Sequence, residues 1–190
     1  MELRDAWTVG ILAAVFGVLT DRLLTGNGKK RRRIAVGCAL FVAVYTVMGL
    51  VLRGSVMTAI KGGIFAMLLL CAAKEDCDTR IVGNYLSVEI LLVGLIGIDA
   101  DSIPKRLLLA AVSLVPVLLV ERLSPKNPIG GADVKLAAAS VFLIGSLWGF
   151  AGYLIGLLLG VLANLRSCRR KQAFPLVPYL AVGFLIVFCL

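Results

Sequence analysis

The sequence predicts an all-α fold, a polytopic bundle of about eight transmembrane helices forming one domain over residues 1–190. Three observations carry this. Hydrophobic residues make up 60% of the chain and charged ones only 16%, against about half and a quarter in soluble domains. The apolar residues fall in long runs, and the +9 net charge is concentrated in short segments between them, as topology-setting basic loops are. A basic stripe across a soluble face would point to nucleic acid; here none is expected as a partner, and lipid is.

The spans follow in order. Trp7–Leu19 is the first, read as retained because MELRDA ahead of it carries two acids and no small-residue cleavage site follows. Ile34–Leu52, Ser55–Ala73, Tyr85–Ile98 and Leu107–Val120 come next, with Pro116 expected to kink the fifth. The run Val134–Leu165 is too long for a single crossing of a roughly 30 Å core, so it is divided near Gly149. Gly149, Gly152, Gly156 and Gly160 form a small-residue packing face on the seventh span. Pro175–Leu190 closes the bundle.

Basic residues orient it. Lys29, Lys30 and Arg31–Arg33 separate spans one and two, and Arg166, Arg169, Arg170 and Lys171 separate seven and eight; fifteen bases fall on that side and four on the other. The richer side is cytoplasmic. Lys61 lies inside the third span beside Gly62 and Gly63, either as a functional intramembrane charge or as a snorkelling one.

Five scattered cysteines with no CxxC pair, and no histidine, argue against a structural zinc site, His-based catalysis and a disulfide framework. No metal or organic cofactor is expected.

With this topology two loops share the cytoplasmic side, KEDCDTRIVGN (Lys74–Asn84) and RLSPKNPIGGA (Arg122–Ala132), the second running into DVKL. Asp133 follows Gly130, Gly131 and Ala132, small residues that permit a tight turn and close backbone approach, and the helix N-terminus there favours its ionised form. Taken singly, Asp133 reads as a helix-start acid. Asp76 reads as a solvated loop charge with Lys74 and Arg80 nearby; if helix continues through it, only one of Asp76 and Asp78 can face the interior. Two carboxylates meeting at one membrane face could also share a proton, one acting as base toward water and the other polarising a carbonyl.

The residues Gly130–Ser140, GGADVKLAAAS, resemble the second catalytic motif of the prepilin (type IV leader) peptidases, Gly-x-Gly-Asp followed by a small or apolar residue, Lys and Leu. DCDTRIVGNYL, Asp76–Leu86, resembles their first, an Asp followed eight residues later by Asn or Asp, and FPLVPYLAVG resembles the Pro-rich approach to their last span. Ala132 and Gly83 depart from the usual glycine and proline. The resemblance implies Asp76 and Asp133 as the catalytic pair, supported by Gly130, Gly131, Lys135 and Asn84. It further implies a multi-pass protein of the plasma (inner) membrane whose site faces the cytoplasm. The substrate would be a prepilin-like precursor whose short basic leader is cut, without the methylation associated with a cysteine-rich segment. Rival readings are an inactive membrane subunit of a pilus or secretion machine, a small transporter using Lys61 and Glu89, and a protease cutting within a helix.

Overall fold

The computed structural model describes residues 42, 45, 55–117, 122, 130–166 and 175–189. Within them the chain is helical, with no strand. The expected first span and the basic 29–33 and 169–171 segments lie outside the described residues, as does the second span apart from helical Val42 and Tyr45.

Six α-helices are described: α1 (Val56–Thr79), α2 (Asn84–Leu95), α3 (Ile103–Ser113), α4 (Gly131–Ile144), α5 (Leu147–Arg166) and α6 (Val177–Cys189), with a 3₁₀ turn at Ala100–Ser102 ahead of α3. Among the described residues only α1 is long and apolar enough to cross a membrane by itself; Asn84–Leu95, Leu147–Ala163 and Val177–Phe188 are shorter apolar helices. At a rise of roughly 1.5 Å per residue, the 24 residues of α1 span about 36 Å. The chain forms two compact units that divide within α1, one ending at Cys71 and the other running from Ala72 to Phe188.

In the first unit Ile64, Phe65, Leu68 and Leu69 are fully buried. In the second, α4 is the hub: α2, α3 and α5 all pack on it. Leu86, Ile90 and Val93 of α2 and Leu136, Val141 and Phe142 of α4 supply the apolar contact. Gly94 allows the close approach, since a Cβ there would stand 3.2 Å from the Leu143 Cα. Gly152 and Gly156 of α5 meet Gly183 and Leu180 of α6 backbone to backbone, where a Cβ on Gly156 would come within 2.7 Å of the Leu180 Cα. Such small-residue contacts bring helices together where lipid supplies no hydrophobic drive. Gly149 does not share that face: its neighbours are Val141 and Ile144 of α4.

Outward, Leu91, Leu92, Leu107, Leu108, Leu154, Leu158 and Leu162 are exposed. So much large apolar surface suits a lipid environment.

The break expected near Gly149 falls instead at Gly145. That residue takes a left-handed φ of 67° and donates its N–H to the Val141 carbonyl at 2.9 Å, a helix stop that glycine makes at least cost. Gly149 lies inside α5. The fifth span breaks as expected around Pro116: α3 stops at Ser113, and helix resumes at residue 115. Proline cannot supply the amide that would carry the ladder through.

Candidate active site

Helix α1 does not end with its apolar run. It continues to Thr79, so Asp76 is a helical residue rather than a loop one. Two positions apart on a helix point to different sides, and the outcome is decisive: Asp76 is 5% exposed, whereas Asp78 is exposed. The helix stops because Arg80 adopts φ 58°, its amide still bonding the Asp76 carbonyl at 3.0 Å.

The chain from Arg80 to Gly83 is held by Glu75, which the motif reading passed over. One Glu75 carboxylate oxygen accepts the Gly83 N–H at 3.1 Å and the other accepts the Tyr85 hydroxyl. Gly83 has φ −67° and ψ 132°, a backbone that proline also adopts. Its N–H is nonetheless in use, and a Cβ there would run into the Tyr85 ring. The departure from the proline of the family motif thus comes with its own local bracing.

The buried Asp76 carboxylate reaches α6. Val177, the first residue of that helix, donates its N–H to Asp76 Oδ2 at 2.9 Å, and the Leu176 amide contributes as well. First-turn amides lack partners within their own helix, and together with the dipole they make an anion seat. Burial lifts the Asp76 carboxyl above the usual carboxylate range, opposed by these two amides and by the Arg80 charge.

Asp133 stands in the first turn of α4. Its amide bonds the Gly130 carbonyl at 3.0 Å, and its carboxylate turns back over Gly130, where a Cβ would lie 3.1 Å from Oδ2. The room that Gly130 leaves is therefore used by Asp133 itself, while Gly131 has nothing within 4 Å of a Cβ position. Helix position alone predicts an easily ionised carboxylate here. The structure corrects this: burial, and then the Asp76 charge, push the Asp133 carboxyl up to about 6. Among the described residues no donor reaches its side chain, so desolvation outweighs the helix dipole, which is worth only about 0.3–1 kcal/mol at exposed sites.

Both carboxylates lie beyond the apolar stretches of their helices, and the Asp76 charge acts on Asp133. They are not equivalent. Asp76 is seated on the amides at the start of α6, which stabilise its anion, while among the described residues no donor reaches Asp133, whose ionised form burial disfavours. Titration belongs to the pair.

Asn84 is the first residue of α2 rather than a loop residue. Its Oδ1 accepts from Lys135 Nζ at 3.2 Å, linking the start of α2 to the first turn of α4. Cys77 is exposed, and burial together with Asp76 and Asp78 pushes its thiol up, which disfavours the reactive thiolate. Lys61 is half-buried within α1.

A protein-family model described as the type IV leader peptidase family matches residues 63–165, more than half of the chain, including Asp76, Asn84, Asp133 and Lys135. The chain belongs to the type IV leader peptidase family. No curated protein and no solved structure matches it. Residues 175–189 lie beyond the family match, yet Leu176 and Val177, at the start of α6, are what Asp76 binds. No motif in a single sequence reveals that contact, because the donors are backbone amides 101 residues away.

Proposed function

We propose that this leader-peptidase family member is an aspartic endopeptidase, multi-pass in the plasma membrane, that removes the short basic leader from prepilin-like precursors at the cytoplasmic face. The observation that carries the reading is the unlike setting of two motif acids: Asp76 is buried and accepts the first amide of α6, while the Asp133 carboxyl is raised to about 6 by burial and by the Asp76 charge.

In this reading Asp76 is the ionised partner. It takes a proton from a water molecule as the water oxygen attacks the carbonyl carbon of the scissile bond, and Asp133 gives its proton to the carbonyl oxygen. The tetrahedral diol then collapses: Asp133 takes back a proton from one hydroxyl, the C–N bond breaks, and Asp76 passes its proton to the departing nitrogen. Both carboxyls finish as they began, and one water has been added across one peptide bond. The remaining supporting residues act indirectly. The Lys135–Asn84 hydrogen bond ties the first turn of α4 to α2, and Gly130 leaves space for the Asp133 side chain.

The deciding experiment is precursor processing by the chain reconstituted in membranes, with Asp76→Asn and Asp133→Asn compared with the unaltered protein. Each change should reduce cleavage by about 100- to 10,000-fold, the usual scale of acid–base catalysis. Processing that survives both changes would sink the dyad, whereas no processing by the unaltered protein would favour an inactive or transport role. Mapping the cut bond ahead of the apolar helix, rather than within it, separates leader removal from intrahelical proteolysis.

A further inference from the structure

One buried polar atom of α5 has no role in the mechanism so far. The Tyr153 side chain on α5 is 2% exposed, and among the described residues its hydroxyl has no hydrogen-bond partner. A buried hydroxyl left unpaired is costly, and such atoms call for a specific explanation. Tyr153 lines one cleft with Asp133, and the rest of that cleft is apolar, formed by Val117, Val134, Leu157 and Leu180 among others.

The placement is rigid. Gly152 and Gly156, flanking Tyr153 on α5, are locked against α6 by backbone contacts, and the Phe150 ring leans on the Tyr153 ring with centroids 6.4 Å apart. A tyrosine needed only for packing would be matched by phenylalanine, without an orphaned hydroxyl. A donor held on the lining of an otherwise apolar cleft that Asp133 also lines is instead suited to a carbonyl oxygen, where hydrogen bonds act with little screening.

The geometry points to Tyr153 as a third catalytic residue, whose hydroxyl donates a hydrogen bond to the carbonyl oxygen of the scissile peptide while Asp133 delivers its proton there. No proton leaves the tyrosine; the bond strengthens as negative charge develops on that oxygen. This rests on the proposed aspartic mechanism and adds to it a group supplied by α5.

The test is Tyr153→Phe in the full chain, reconstituted in nanodiscs and assayed on a precursor with a basic leader ahead of an apolar helix, with Asp133→Asn measured in parallel. We expect kcat to fall about 10- to 100-fold with KM changed less than about threefold, as for loss of a donor that acts in the transition state. The midpoint of thermal unfolding should hold or rise, because the change removes an unpaired polar atom and keeps the ring. A kcat within about twofold of the unaltered protein overturns the assignment, and so does a loss of activity that tracks a loss of thermal stability. If Asp133→Asn is inactive while Tyr153→Phe is fully active, the tyrosine role alone fails. If Asp133→Asn stays active, the aspartic mechanism fails first.

Discussion

Helix α4 is finished differently at its two ends. At the C-terminus, Gly145 turns left-handed to bond the Val141 carbonyl, and Arg106 of α3 donates from one guanidinium nitrogen to the carbonyls of Phe142 and Leu143, at 3.3 and 2.9 Å. A cation over a helix C-terminus, bonded to carbonyls that the helix itself cannot satisfy, is the arrangement that stabilises a fold. At the N-terminus, Gly130 supplies no side-chain cap, and the one acid present is partly buried and is pushed up to about 6 by that burial and by the Asp76 charge. One end satisfies its carbonyls and the other holds a carboxyl away from its preferred state. On the proposed mechanism, the contrast separates residues that hold the helix from residues positioned to do chemistry on it.

The largest expected effect exploits that contrast directly. Asp133→Asn should lower kcat by about 100- to 10,000-fold with no loss of thermal stability, since a neutral amide replaces a carboxyl that burial disfavours when ionised. Arg106→Met should behave in the opposite way. Removing a charged donor from two carbonyls costs about 1.5–3 kcal/mol, visible as a lower unfolding midpoint, while the protein that remains folded keeps its kcat. If Arg106→Met abolished turnover at unchanged stability, the division between the two ends would be wrong.

A pH series sharpens the same point. Because the folded-state Asp133 carboxyl is raised from 3.8 to about 6, the folded protein binds more protons than the unfolded chain between those values. The stability linked to this group is therefore complete below 3.8 and is lost as pH rises through about 6. Burial of Asp76 acts in the same direction. Thermal unfolding followed across this window should show the decline, and Asp133→Asn should flatten it. On the proposed mechanism, kcat/KM should fall on an alkaline limb near 6 as the pair loses its single proton.

The smallest effect lies at two adjacent glycines. Gly130→Ala places a methyl 3.1 Å from Asp133 Oδ2, so the carboxylate must shift by a few tenths of an ångström, and cleavage should slow by roughly 3- to 10-fold, well short of the loss from a full ångström. Gly131→Ala meets open space and gains helix propensity of up to about 1 kcal/mol, so activity should hold and the unfolding midpoint should not fall. Equal effects at both positions would show that the Asp133 carboxylate does not depend on the space over Gly130.

Much of the site was legible in the chain. The resemblance to the family motifs picked out Asp76, Asn84, Asp133 and Lys135, and helical periodicity allowed only one of Asp76 and Asp78 to face the interior without saying which. Glu75, Arg106 and Tyr153 were not legible. Glu75 is one acid in an acidic run, distinguished only by the amide and hydroxyl that it meets. Arg106 reads as a loop base until its partners, 36 and 37 residues away, are seen. Tyr153 in an apolar run reads as a packing aromatic, because sequence carries no sign of whether a hydroxyl finds a partner.

The division has one physical origin. Composition and apolar run length fix the helical class and the suited solvent, since they measure transfer free energies that add residue by residue along the chain. The motif spacing likewise carries the family, because it places particular side chains at particular turns. Proton affinities and hydrogen-bond partners do not add in that way: they depend on charges and dipoles brought within a few ångströms by distant segments. So the amides that seat Asp76 and the burial that raises the Asp133 carboxyl were decided only when α6 and α4 packed into place.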